Sequence, residues 1–239
     1  MKIGIIGAEK QEVELLYREL EASGKPVDVR RRANLEFHQG FIDGKPVVVV
    51  CCGVGKVNAA LCAQVLICDF GVDAIVNTGS AGGLAEGLNV LDMVVCTDAV
   101  QHDFDTTPFG YAAGQIPGTE SPFFKADQAM RDKALAAFSR VSPRFETPSR
   151  MIPGRIATGD AFISNPAARD RIVSLFSPAC VEMEGGAVAQ ACVANGTPFV
   201  IIRSISDLAG HEADMSYADF SRQASHRSAA VVIDFVKHQ

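Results

Sequence analysis

Val181-Glu182-Met183-Glu184-Gly185 closes one apolar run of the chain, and Arg203-Ser204-Ile205-Ser206-Asp207 closes the next. Apolar runs bounded by Gly or Pro read as buried strands, and residues 186–194 between them read as a helix. In open α/β sheets, ligands collect at the carboxyl ends of strands. Two strand ends that carry carboxylates therefore mark a candidate site, and carboxylates in a dry site suit acid and base work. Asp and Glu are also favoured at helix N-termini, so Asp207 taken alone fits either reading.

The alternation of strand and helix extends in both directions. Ile3 to Ala8 reads as a first strand. Gln11 to Ala22 has helical spacing, with Val13, Leu16 and Leu20 as its apolar stripe and Gly24 as a stop. Phe37 to Ile42 and Val47 to Cys52 flank Asp43-Gly44, a hairpin signal. Further strands are expected at 74–78, 93–100, 155–158, 180–183 and 198–205. Helices are expected from Gly53 to about Asp69, at 126–138, at 166–176 behind Asn165-Pro166, and at about 216–237. Residues 103–125 read as a long loop and 139–154 as a Pro-rich connection. No repeat or linker-like break interrupts the pattern, so residues 1–239 read as one α/β domain with a mixed sheet.

Composition narrows the function classes. The chain has 239 residues, 48% of them hydrophobic and 21% charged, which supports a substantial core rather than disorder. Its formal charge of −6 argues against nucleic acid or an anionic membrane as the main partner. No stretch approaches the length of a membrane span. Seven cysteines occur without a C-x-x-C pair and mostly in apolar runs, a pattern that fits a reducing cytoplasm rather than a disulfide scaffold or a zinc site. The histidines (38, 102, 211, 226 and 238) show no metal-ligand spacing, and neither G-x-S-x-G nor H-E-x-x-H is present.

Two further features bear on chemistry. Glu12 falls in line with Leu16 and Leu20, on the buried stripe of its helix. A carboxylate there is costly unless it is bonded or functional. It also fits an ordinary first-turn Glu favoured by the helix dipole, and periodicity alone leans that way. Asn77-Thr78-Gly79-Ser80-Ala81-Gly82-Gly83 follows a buried strand, and its small residues either make a tight turn or let a ligand approach the backbone. Gly53-Val54-Gly55-Lys56 is not a phosphate-binding P-loop, because Val57 follows the Lys, and the first strand lacks the dinucleotide-binding glycine fingerprint.

These motifs, with Gly110-Tyr111, Gln115-Ile-Pro-Gly118 and Gly159-Asp-Ala-Phe-Ile163, occur in one order along nearly the whole chain. In that order the chain resembles the 5′-methylthioadenosine/S-adenosylhomocysteine nucleosidases of the nucleoside phosphorylase superfamily. The resemblance implies a three-layer α/β fold with a twisted mixed sheet, partly barrel-like and surrounded by helices. It implies hydrolysis of the N-glycosidic bond of adenine thionucleosides, with 5′-deoxyadenosine and 6-amino-6-deoxyfutalosine as further substrates. No metal or organic cofactor is implied, and the assembly is a homodimer with a shared pocket. By the same resemblance Asp207 is the general acid, oriented by Ser206, and Glu12 activates water beside Ser80 and Arg203. Glu184 takes the ribose hydroxyls, Met183 packs on the sugar, Phe162 stacks on adenine, Ile163 reads its edge, and Gly82 admits the ligand to the backbone. Val54 binds substrate, Tyr217 makes the pocket around the 5′ substituent more polar, and Phe109 and Pro117 of the partner subunit wall that pocket. Two carboxylates at opposite ends of one bond are also the arrangement of glycosidases.

The chain departs from the family pattern at Glu9, where Met is common, at Thr106, where a small apolar residue is common, and at Tyr217, where Phe is common. Glu9 either perturbs Glu12 or points to water. Two rival readings remain. A phosphorylase of the same superfamily would carry Gly-Asp-Pro-x-Arg after the first strand, where this chain has Gly-Ala-Glu-Lys-Gln-Glu. An inactive nucleoside-binding module would have no need of Glu12 and Asp207.

Overall fold

The computed structural model describes residues 1–209 and 213–239, and its centre is a set of parallel strands whose carboxyl ends meet. β1 (Ile3–Gly7) lies between β4 (Lys45–Cys51) and β5 (Ala74–Gly83), both parallel to it, and β10 (Phe199–Asp207) runs parallel along the other side of β5. From β10 the sheet continues antiparallel to β6 (Met93–Gln101), then parallel to β8 (Met151–Thr158) and β9 (Cys180–Glu182). β9 returns antiparallel to the end of β5, so β5, β10, β6, β8 and β9 close a barrel-like ring. Outside the ring, β4 leads to β3 (Leu35–Ile42) and β2 (Asp28–Arg32), and β7 (Phe124–Lys125) adds to β6.

Alternation along these strands builds two cores, one on each face. Ile6, Val48, Val50, Ile75 and Ile201 pack with α2 (Lys56–Cys68) and α5 (Gly185–Ala194). Ile3, Ile5, Val47, Val49 and Ile202 pack with α1 (Lys10–Ala22), α3 (Gln128–Val141) and α6 (Ala213–Lys237). Helices on both sides explain why β1, β5 and β10 are buried from end to end and read as continuous apolar runs. α4 (Pro166–Phe176) covers a smaller cluster with Val100, Ala157 and Val181.

β5 changes partner along its length. Residues 74–77 pair with β1, whereas Gly82 and Gly83 pair with β9. At Ser80, between these two pairings, side chains meet the backbone instead. The Ser80 N–H donates to Glu12 at 3.0 Å, and its carbonyl accepts from Arg203 at 3.2 Å. The cleft opens here.

Several boundaries differ from the sequence reading. Gly79 to Gly83 is strand rather than turn, because β9 and β10 supply pairing partners that glycine content conceals. β8 starts at Met151 and runs through Pro153-Gly154, where Gly154 passes too close to Ala179 to carry a side chain. β2 was absent from the reading. Its Asp-Val-Arg-Arg-Arg sequence is wholly exposed, with no apolar alternation, and only its pairing with β3 makes it a strand. The loop at 103–125 contains a short 3-10 turn and β7. α6 begins at Ala213 rather than about 216, and His211 lies outside the described residues.

Candidate active site

Glu12 sits in the first turn of α1, directly after β1, and is 3% exposed. Its Oε2 accepts the N–H groups of Ala8 (2.6 Å) and Glu9 (3.0 Å), while Oε1 accepts that of Ser80. Three amides from two elements thus fix one carboxylate. Burial raises its pKa from the ordinary 4.5, against the opposing effects of Arg203 and the amides. The helical stripe carries Glu12 inward, and in the same position it closes the capping box of α1, so first-turn placement and burial hold together. Gly79 makes room for the arrangement, because a Cβ there would overlap both Glu12 Oε1 and Arg203. Gly79→Ala is expected to displace the pair and lower kcat by about 100-fold. Steady-state kinetics checks this, with a far-UV spectrum to confirm that the fold persists.

Arg203, on β10, is 1% exposed and is the hub of the site. Its guanidinium donates to Asn77 Oδ1 (2.6 Å), to Ser80 O, to Glu182 and, at 3.5 Å, to Glu184. Burial would lower its pKa, but Glu182, Glu184 and Glu12 together raise it, so it stays charged. Glu182 ends β9 and caps α5, accepting from the N–H groups of Glu184 (3.0 Å) and Gly185 (2.7 Å) and from the Thr158 hydroxyl. Glu184 Oε1 accepts from the Gly55 N–H at 2.9 Å, and burial pushes its pKa up to about 7 although Arg203 opposes the shift.

Asp207 ends β10 opposite Gly82, just past an irregularity in the register after Ile205. Bulges of this kind re-aim side chains. Oδ2 accepts from the Ser206 hydroxyl (2.9 Å) and Oδ1 from the Ala209 N–H (2.8 Å), yet burial raises the pKa above the ordinary 3.8. A Cβ on Gly82 would stand 2.9 Å from Asp207 Oδ1, so glycine there keeps the carboxyl free.

Val54, Ser80, Phe162, Ile163, Met183 and Tyr217 join these groups around a single cleft of about 610 Å³, counting space open to solvent. The 159–163 loop is tied down by Asp103, which accepts from the Asp160 N–H (3.0 Å) and from Lys56 (2.6 Å). Phe162 is 46% exposed and meets Tyr217 edge to face at 5.6 Å. Phe109 and Pro117 lie outside this cleft and are exposed. Thr106 bonds to the Gln115 carbonyl within its own loop and does not line the cleft either. Glu182, Asn77 and Thr158 were missing from the sequence-derived site. The i, i+2 repeat of Glu182 and Glu184 at one strand end was the available signal. Among the described residues, no group of three His, Cys, Asp or Glu side chains is arranged to hold a metal ion.

The sequence matches the phosphorylase superfamily over residues 2–237. It is 44% identical to the 5′-methylthioadenosine/S-adenosylhomocysteine nucleosidase of Halalkalibacterium halodurans, over 98% of this chain and 97% of that one. The chain belongs to the 5′-methylthioadenosine/S-adenosylhomocysteine nucleosidase family. The structure of the Colwellia psychrerythraea nucleosidase in complex with adenine has a TM-score of 0.92 and 39% identity, covering 99% of this chain and 94% of that one. The futalosine hydrolase of Helicobacter pylori has a TM-score of 0.90 and 31% identity, covering 100% and 98%. In this nucleosidase-family cleft, Glu12 and Asp207 are fixed by separate sets of amide and hydroxyl donors, and Glu184 stands at the start of α5.

Proposed function

We propose that the chain hydrolyses the N-glycosidic bond of 5′-methylthioadenosine and S-adenosylhomocysteine, releasing adenine and the thioribose. One observation carries the reading: a buried carboxyl with a raised pKa, Asp207, shares a cleft with a buried carboxylate clamped by three amides, Glu12.

In this reading Asp207 donates its proton to a ring nitrogen of adenine. The electron pair of the C–N bond leaves with the base, and the sugar takes on oxocarbenium character. Glu12 accepts a proton from water as the water oxygen bonds to the anomeric carbon. Burial suits both tasks, because it raises both pKa values, favouring the protonated form of the acid and making the base a stronger proton acceptor. Ser206 and the Ala209 amide orient Asp207, and Ser80 and Arg203 hold Glu12 and its water. Glu184 accepts the ribose hydroxyls, Met183 packs on the sugar, Phe162 stacks on adenine, and the Ile163 backbone reads the adenine edge. Gly82 leaves space for the base. No cofactor takes part. Residues 1–239 act as one unit in a cytoplasmic homodimer, in which Phe109 and Pro117 complete the partner's pocket. The products feed methionine salvage and thioether recycling.

The test is product analysis with 5′-methylthioadenosine, with and without phosphate. Adenine and methylthioribose are expected in both. Methylthioribose phosphate formed only with phosphate would make the chain a phosphorylase, and no turnover would leave a binding module. Among the described cleft-lining residues the only Lys or Arg is Arg203, already engaged by Glu182 and Glu184, which supports water rather than phosphate as the acceptor.

The pH profile adds a second test. Glu184 binds hydroxyl donors best when ionised and carries a pKa of about 7. Glu12 must also be ionised, and its pKa is raised too. kcat/KM is therefore expected to fall as pH drops below about 7. A profile flat from pH 8 to pH 5.5 would remove both roles.

A further inference from the structure

The proposed reaction accounts for most of the cleft and leaves one wall unused. Asp207, Ser206 and Ile163 serve the base, Glu12, Ser80 and Arg203 the scissile bond, and Glu184 and Met183 the ribose hydroxyls. Of the lining residues without a role there, Glu9 and Tyr217 are bonded to each other and form that wall, Glu182 is held by Arg203, and the others, Val54 among them, are apolar. In the nucleosidase reading the 5′ substituent lies towards Tyr217, where Phe109 and Pro117 of the partner subunit complete the pocket, and Glu9, bonded to Tyr217, borders it as well. The argument therefore rests on the nucleosidase reading.

That wall is polar. The Tyr217 hydroxyl donates to Glu9 Oε2, and the Gln11 side-chain amide donates to the same oxygen at 3.1 Å. Both donors are neutral. Glu9 is also the N-cap of α1 and closes a capping box with Glu12, so among the described residues it lines the cleft with neutral donors and no cationic side chain bonded to it, whereas the charges of Glu182 and Glu184 are shared with Arg203. Glu9 is only half-buried, a position that costs an ionised carboxylate little. Tyr217 is steadied from the other side by the Phe162 ring. The pair therefore presents a fixed anion, with a phenol holding it in place.

From this we infer that Glu9, positioned by Tyr217, is a specificity-determining residue that selects 5′ substituents by charge, favouring those that carry an ammonium group and disfavouring those that carry a carboxylate. A carboxylate wall attracts the first through a charge-assisted hydrogen bond and repels the second. Futalosine-type nucleosides, whose 5′ side bears an arenecarboxylate, fall in the disfavoured class.

Three synthetic 5′-thioadenosines of similar size test this: 2-aminoethylthio (cationic), propylthio (neutral) and carboxymethylthio (anionic). Adenine release gives kcat/KM for each, and ratios within one protein cancel any general loss of activity. In the wild type the order cationic, neutral, anionic is expected, with about 10-fold per unit charge, the size for charges about 5 Å apart in a partly wet cleft. The ratios should narrow at high ionic strength. Glu9→Gln is expected to bring all three within about 2-fold of one another, whereas Tyr217→Phe keeps the charge and therefore the order. Equal kcat/KM for the three probes in the wild type would overturn the inference, as would an order that survives Glu9→Gln. Failure to release adenine even from 5′-methylthioadenosine would instead overturn the nucleosidase reading beneath it.

Discussion

Asp207→Asn is expected to lower kcat by about 10²–10⁴-fold, the usual contribution of a positioned proton donor, while binding of adenine nucleosides is largely kept. The substitution is nearly isosteric. The Asn side-chain oxygen can still accept from the Ala209 N–H, and its amide can still meet the Ser206 hydroxyl, so the bonds that orient Asp207 survive. Only the transferable proton is lost. Burial raises the pKa of Asp207 and so favours its protonated form, while the Ser206 hydroxyl is itself a donor to this carboxyl. Single-turnover adenine release and the Kd of a non-hydrolysable analogue separate the two effects. An unchanged kcat would assign leaving-group protonation elsewhere. Lost affinity with kcat intact would make Asp207 a binding carboxylate.

Arg203→Leu is expected to destabilise the protein by about 3–5 kcal/mol, the cost of leaving buried charges without their partner. Arg203 is the shared counter-ion of Glu182 and Glu184 and lies beside Glu12, and all three carboxylates are buried. The loss should depend on pH in a definite sense. Glu12 and Glu184 have folded-state pKa values above their ordinary 4.5, about 7 for Glu184. The folded state therefore holds protons that the unfolded chain releases. The stability that Glu184 contributes is complete below about pH 4.5 and is lost as pH rises through about 7, and Glu12 changes in the same sense. Without Arg203 the largest opposing effect is gone and only backbone amides remain to limit this trend, so the variant should be closer to the wild type at pH 5 than at pH 8. Urea midpoints at the two pH values check it. An equal deficit at both would mean that packing around the long side chain, not charge, is what Arg203 supplies.

Much of this site was legible before any coordinates. Asp207 and Glu184 stand where apolar runs stop, and strand ends are where such folds place ligands, so the pattern and the position agree. Glu12 was harder. Helical spacing put it on the buried stripe, but the first turn of a helix tolerates acidic residues for electrostatic reasons, and spacing cannot separate those cases. What decides it is Ser80, a residue far along the chain whose amide arrives only when β5 pairs with β1. Glu182 was missed as a site member for a similar reason. Its partners, Arg203, Thr158 and the amides that open α5, come from separate elements. For the Gly-rich run of β5 the sequence offers a tight turn or close approach of a ligand and favours the second, but it hides that the run is strand and that the glycines relieve crowding: at Gly79 and Gly82 a side chain would strike the groups of the site. β2 had no hydrophobic pattern at all and owes its existence to a neighbour.

The split partnership of β5 has an implication for how such proteins change over generations. Asp207 lies on β10 and Glu12 is bonded to β5, and both are held in a single hydrogen-bonded register. Because strand side chains alternate, a slip of one residue would turn every one of them to the opposite face. Insertions in these strands are therefore ruled out, and the distance across the bond to be broken is inherited unaltered. The rim is under no such rule. The long segment between β6 and α3 lies outside the ring, where altered length or polarity leaves the register untouched. New substrates would be acquired by editing that fringe, around a reaction centre that drift cannot resize.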